Sequence, residues 1–136
     1  MAIDVADSPP HSRSVKSVSV VGLGYIGLPT AAMFASTGMK VLGVDVDPEV
    51  VAAVNSGRAH IEEGSLDALV SKCVASGLLT ARMIPEPSDA FIIAVPTPLV
   101  SGSEPQPDLS FIESAARAPA VTKALPWYQQ GKWIRG

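Results

Sequence analysis

Three observations predict an α/β protein built on a doubly wound parallel sheet. A Gly-x-Gly-x-x-Gly run, Gly22-Leu23-Gly24-Tyr25-Ile26-Gly27, stands between a β-branched stretch and an alanine-rich one. An acid, Asp45, closes the next β-branched stretch, 23 residues past Gly22 (45 − 22). Beyond it, apolar runs of strand length alternate with segments of helix length. The glycine run alone is a weak signal, because eleven glycines in 136 residues make chance matches common. The elements around it give it weight.

Val15 to Val21 reads Val-Lys-Ser-Val-Ser-Val-Val, a strand by propensity. Tyr25 to Thr37 has helix length, with apolar Ile26, Ala31, Met33, Phe34 and Ala35. Pro29 falls in its first turn, where a missing N–H costs least, and Gly38 suits its end. Lys40 to Val44 is a second strand leading into Asp45. Asp47 suits the cap of the following helix, Asp47–Ser56, with Pro48 at its first position and Gly57 after it. A third helix spans Ser65–Ser76, with Ser65 as its cap and Gly77 as its stop. A short strand follows from Leu78 to Met83, and Pro85 and Pro87 then break the chain. Asp89 to Val95 is a continuous apolar run of the kind found in a central parallel strand buried on both faces. Leu99–Gln106 reads as a Gly/Pro/Ser loop, and Pro107-Asp108-Leu109-Ser110 opens a helix through Phe111, Ile112, Ala115 and Ala116. Strand and helix are expected to alternate throughout.

Strand, glycine run, helix and distant acid together make a Rossmann-like dinucleotide site. Gly22 lets the chain leave its strand in a tight turn, Gly24 lets backbone approach a pyrophosphate, and Gly27 lets helix and strand pack closely. Phosphates would face the free N–H groups and positive dipole end of the helix. Asp45 is placed to accept hydrogen bonds from a ribose diol. It would repel a 2′-phosphate, and Val46-Asp47-Pro48-Glu49 supplies no arginine to accommodate one, so NAD is expected over NADP. Val95-Pro96-Thr97-Pro98 leaves the C-terminal end of the apolar strand, the sheet edge where ligands bind in open α/β folds. Position alone leaves two readings of Thr97: a hydroxyl that bonds the cofactor, or an incidental residue in a stiff strand exit.

Composition limits other functions. The chain has 136 residues, 47% hydrophobic content and a net charge of −3, which fits one small domain. No apolar run nears the roughly 20 residues of a membrane span, and residues 1–14, with Pro9-Pro10, read as a disordered tail rather than a signal peptide. A cytoplasmic location follows as the expectation. Cys73 is the single cysteine, so no intrachain disulfide forms, and its place in a helical stretch favours a packed thiol over a nucleophile. His11 and His60 lie far apart without metal-ligand companions, and no metal site is expected.

Several motifs in order carry a family resemblance. Val21-Gly22-Leu23-Gly24-Tyr25-Ile26-Gly27-Leu28-Pro29-Thr30-Ala31, Gly43-Val44-Asp45, Phe91-Ile92-Ile93-Ala94-Val95-Pro96-Thr97-Pro98 and Pro107-Asp108-Leu109 resemble the N-terminal domain of the UDP-glucose/GDP-mannose dehydrogenase family. Val-Pro-Thr-Pro and the later Phe-Ile-Glu-Ser-Ala-Ala-Arg are most similar to the branch acting on UDP-N-acetyl-D-mannosamine. The resemblance implies that Tyr25 and Ile26 meet the pyrophosphate through their backbone, that Asp45 holds the adenosine ribose, and that Thr97 touches the cofactor. It also implies oxidation of a nucleotide-sugar C6 alcohol to a carboxylate in two NAD-dependent steps, through a cysteine-bound thiohemiacetal with lysine assistance, in an oligomeric enzyme. The Phe-Gly-Gly-x-Cys-type motif of that chemistry is not in this sequence, and Cys73 does not match it. A nucleotide sugar is therefore an expected partner only alongside the missing domains.

The resemblance covers residues 15–118, and composition changes where it stops. Residues 1–113 hold all thirteen acids and six of the ten bases; 114–136 hold four bases and no acid. Trp127, Tyr128 and Trp133 cluster in the last ten residues. Three parts are expected: the tail 1–14, an NAD-binding domain 15–118 with its sheet cut short after the Phe91–Val95 strand, and a divergent tail 119–136. That last part reads as the product of a shifted or prematurely ended reading frame, which would leave an inactive NAD-binding remnant. Two tryptophans and three late charges are too little to indicate nucleic-acid binding.

Overall fold

The computed structural model describes residues 14–62, 64–124, 128–129 and 132–133. The expected N-terminal tail, Ser14 apart, lies outside these residues, as do the side chains of the late aromatic cluster. The chain runs β1 (Ser17–Val21), α1 (Gly27–Ser36), β2 (Lys40–Val44), α2 (Pro48–Asn55), α3 (Gly64–Ala75), β3 (Leu79–Arg82) and β4 (Ala90–Ile93). A two-residue antiparallel ladder, β5 (Leu99–Val100) with β6 (Gln106–Pro107), precedes α4 (Ser110–Arg117) and α5 (Pro119–Ala124). A last ladder pairs β7 (Tyr128–Gln129) with β8 (Lys132–Trp133).

The first four strands form one parallel sheet in the order β3-β2-β1-β4. Alternation along β1 divides its side chains between two cores. Val18 and Val20 join Leu28, Ala31, Ala32 and Ala35 of α1, Val54 of α2 and Val70 and Cys73 of α3. Val21 joins Val44 and Ala115 of α4 in a smaller cluster. Helices thus cover both faces, three on one and α4 on the other, as a doubly wound sheet requires.

The expected alternation fails between β3 and β4. Residues 83–89 cross from one sheet edge to the other without a helix, stiffened by Pro85 and Pro87. This connection explains a serine in the middle of a buried strand. Ser19 is fully buried, and its hydroxyl bonds the Ser88 hydroxyl of the crossover at 2.5 Å. Asp89 then fixes the crossover to the start of β1: its carboxylate accepts the Lys16 and Ser17 amides at 2.9 and 3.1 Å, and its own amide donates to the Ser17 hydroxyl. Those amides hold the Asp89 carboxyl below the usual carboxylate range.

Other expectations need local correction. The third helix begins at Gly64, so Ser65 lies inside its first turn and is not its cap. The Asp89–Val95 run supplies only Ala90–Ile93 to the sheet, at the edge of the described strands, and all four residues are half-buried. The sheet centre is taken by β1 and β2, whose residues are less uniformly apolar but lie between neighbours. Leu99–Gln106 is closed by the β5–β6 ladder, and Pro107 belongs to that ladder instead of opening a helix. α4 starts at Ser110, whose amide bonds the Asp108 carboxylate at 2.9 Å. The elements from β1 to β3 otherwise fall within two residues of expectation, whereas α5 and the β7–β8 ladder lie in the segment read only as a divergent tail. Asp47 caps α2 through the Glu49 amide at 2.9 Å, and Gly38, Gly57 and Gly77 follow helices at positive φ.

The outer edge of β3 is closed by a side chain. The Asn55 carboxamide at the end of α2 donates to the Ala81 carbonyl at 2.9 Å and accepts the Ala81 amide at 2.8 Å. It takes the place of a neighbouring strand at that position, where an open edge invites intermolecular pairing. Asn55→Ala is expected to cost about 1–3 kcal/mol, from two lost hydrogen bonds. Chemical denaturation should show this loss together with a greater tendency to aggregate.

Candidate cofactor-binding site

Strand register assembles the site. Val21 lies level with Val44 and with Ile93, so the next residues, Gly22, Asp45 and Ala94, meet at one end of the sheet. Backbone bonds continue the ladder past the strands: the Gly22 amide donates to the Val44 carbonyl at 2.7 Å, and Ala94 to Val21 at 2.7 Å. This is the C-terminal edge predicted to bind ligand.

Two of the three glycines are fixed by space. Gly22 has φ +96°, and a Cβ there would lie 2.5 Å from the Ala94 carbonyl oxygen. A Cβ on Gly27 would lie 1.6 Å from the Gly22 carbonyl oxygen. Gly24 is different: a Cβ built there meets nothing within 4 Å. No described contact of the folded chain, its sequence neighbours apart, requires a glycine there.

Leu23, between the first two glycines, is anchored on three sides. Its amide donates to one Asp45 oxygen at 3.0 Å. Its carbonyl is bonded by Nε2 of His60. Its side chain is fully buried over Gly43, where a Cβ would come within 2.9 Å of both Leu23 methyls. The second Asp45 oxygen accepts the Asp47 amide at 3.0 Å, so one carboxylate ties β2 to the glycine loop and to the approach to α2. Carboxylate oxygens offer about four lone-pair sites in all. Two remain on the half-buried Asp45 for an external donor.

Past Leu23 the loop turns outward. Tyr25 and Ile26 are 80% and 72% exposed, which fits a role for their backbone and not their side chains. The amides of Gly24, Tyr25, Ile26 and Gly27 donate to no acceptor among the described residues. They stand at the start of α1, whose first turn is closed by Leu28 N–H to Gly24 C=O at 3.1 Å. Four unpaired N–H groups at a helix start make an anion site, and the arrangement fits a dinucleotide pyrophosphate beside a ribose held by Asp45.

Thr97 is exposed three residues beyond Ala94, which abuts Gly22 and Gly27. The Pro98 carbonyl accepts the Asp108 amide at 2.7 Å, securing the chain just after it. Cys73 is buried, its thiol donating to the Ala32 carbonyl at 3.5 Å, and burial pushes its pKa up. It is a packed thiol. His60, given no role by the sequence reading, stands on the connection between α2 and α3 and reaches the glycine loop across 37 positions. No periodicity or motif marked it, because the contact exists only once that connection folds over Leu23.

A family model described as the NAD-binding domain of the UDP-glucose/GDP-mannose dehydrogenase family matches residues 16–125. The chain is 55% identical over 103 residues to an NDP-N-acetyl-D-galactosaminuronic acid dehydrogenase of Ralstonia nicotianae, a match covering 76% of this chain and 24% of that protein. It is 53% identical over 108 residues to a UDP-N-acetyl-D-mannosamine dehydrogenase of Campylobacter jejuni, covering 79% and 26%. The structure of a UDP-N-acetyl-mannosamine dehydrogenase from Staphylococcus aureus superposes with a TM-score of 0.72 at 42% identity, covering 75% and 25%. The chain thus spans about a quarter of the length of the relatives it matches. On this sequence and fold, it belongs to the UDP-glucose/GDP-mannose dehydrogenase family and carries that family's NAD-binding domain.

Proposed function

We propose that residues 15–118 are the cofactor half of a nucleotide-sugar 6-dehydrogenase of the UDP-N-acetyl-D-mannosamine type. In this reading the backbone of Gly22, Gly24, Tyr25, Ile26 and Gly27 holds the NAD pyrophosphate. Asp45 holds the adenosine ribose and excludes a 2′-phosphate, and the Thr97 hydroxyl bonds the cofactor at the end of β4. The supporting observation is the set of four unpaired amides at the start of α1, next to a carboxylate with lone pairs to spare. Bound NAD supplies a hydride acceptor. The chain's own residues bind and orient it, and substrate oxidation from alcohol to carboxylate requires groups these motifs do not contain. We place the protein in the cytoplasm, in an oligomer; no helix among the described residues is long and apolar enough to cross a membrane.

Cys73 favours a second reading, of a module that holds NAD without turning substrate over by itself. A thiol buried in the α1–α3 packing and bonded to a backbone carbonyl is out of reach of a sugar. The two readings share a site and differ in whether partner domains complete it. Mixing the chain with nucleotide sugar, NAD and the separately produced remainder of a family enzyme separates them: NADH absorbance supports the first reading, and its absence the second.

Calorimetric titration tests the site itself. NAD should bind at least tenfold more tightly than NADP, and Asp45→Ala should weaken NAD by roughly 10- to 100-fold, the range for a hydrogen bond to a charged group. Equal binding of the two cofactors would sink the assignment of Asp45. The glycines should separate cleanly. Gly27→Ala is expected to cost more than about 3 kcal/mol of stability, since the Gly22 carbonyl must move. Gly24→Ala should melt almost where the parent does yet lose NAD affinity, because its space is needed only when a phosphate is present. Thr97→Val, at an exposed position, should leave the melting temperature unchanged and weaken NAD about fivefold, the effect of one neutral hydrogen bond. Unaltered affinity in that variant would assign Thr97 to the strand exit alone.

A further inference from the structure

The bond from His60 Nε2 to the Leu23 carbonyl has a consequence for the loop beyond fastening one connection to the sheet. A carbonyl oxygen only accepts, so Nε2 carries the proton. No described peptide bond is cis, so the Leu23 C=O and the Gly24 N–H lie in one plane and point in opposite directions within it. Holding the carbonyl on the His60 ring therefore aims the Gly24 N–H away from His60. That N–H is the first of the four without an acceptor. The preceding peptide is fixed as well, by the Leu23 amide on Asp45 at 3.0 Å.

The lock matters because of the residue it acts on. Gly24 has no Cβ to resist rotation, and its chain neighbours apart nothing stands within 4 Å of where one would be, so no contact at Gly24 opposes a turn of the Leu23–Gly24 peptide plane. Without His60, the same freedom that lets backbone approach a phosphate would let the peptide turn its carbonyl toward it. A carbonyl facing a pyrophosphate repels it; an N–H binds it. Among the described residues, His60 supplies the side chain bonded to that oxygen.

We infer that His60 is a positioning residue for cofactor binding, which orients the Leu23–Gly24 peptide so that the Gly24 N–H meets a phosphate of NAD. This rests on the reading that the loop holds the pyrophosphate. The competing role is structural, with His60 only anchoring the α2–α3 connection.

The test uses the full chain, its His60→Ala and His60→Gln variants, and two probes: NAD, and adenosine, which has no phosphate. His60→Ala should weaken NAD by roughly three- to tenfold, the range for one neutral hydrogen bond. Adenosine binding, followed by NMR, should change less than twofold. His60→Gln, which keeps an N–H donor, should recover most of the loss. Ring ¹⁵N shifts of the parent should show a protonated Nε2, and the Gly24 amide resonance should move in His60→Ala and return toward its place in His60→Gln. A parent that binds NAD no better than His60→Ala does overturns the inference alone. So do equal losses in both variants, or a loss that adenosine shares. A parent that binds neither probe overturns the cofactor reading beneath it.

Discussion

Where β1 turns into α1, the carbonyl oxygen of Gly22 occupies the space that any side chain on Gly27 would need, with 1.6 Å between the oxygen and a Cβ position there. Helix and strand can meet this closely only as backbone against backbone. That approach lets Leu28, Ala31, Ala32 and Ala35 drop onto Val18 and Val20, the largest core of the molecule. It also sets the start of α1 directly over the strand ends. The turn brings to that end of the sheet the loop amides that find no acceptor among the described residues. The same contact thus seats the helix in the core and shapes the loop proposed to hold the pyrophosphate.

Around that contact, polar side chains do work usually given to backbone. Asp45 bonds the amides of both Leu23 and Asp47, so the acid suited to a ribose is also the brace of the loop beside it. His60 secures the opposite side of Leu23. An acid held by two amides is already oriented before any ligand arrives, which lowers the cost of using it. The site is preorganised by residues from three separate segments, and loosening any of them would reach the others through Leu23.

The two sheet edges are treated differently. At β3, the Asn55 carboxamide satisfies both outward groups of Ala81. At β4 all four residues are half-buried, and the apolar content of the strand exceeds what its described neighbours cover. Family members are about four times longer than this chain. β4 is thus an edge strand among the described residues with the composition of a central one.

The glycine run, Asp45, and every strand and helix up to β3 were legible in the sequence to within two residues, because their signals are local. A β-branched run, a proline in a first turn, a glycine at a helix end and an acid at a fixed distance each act over a few bonds. Gly22 and Gly27 were read correctly for the same reason, since the turn they permit is itself local. The proline-broken connection at 83–89 was read without a helix, but its contacts were not legible, since Ser88 and Asp89 meet Ser19 and the amides of Lys16 and Ser17 about seventy residues away in sequence. The edge position of β4 escaped too, since hydrophobicity reports what a strand is suited to, not which strands stand beside it. His60 left no mark on periodicity at all. By itself the sequence determined the fold family, the cofactor class and the places of Gly22 and Gly27 in the strand-to-helix turn. Tertiary structure alone decided which side chains hold the loop in place, because those bonds join segments that only folding brings within reach.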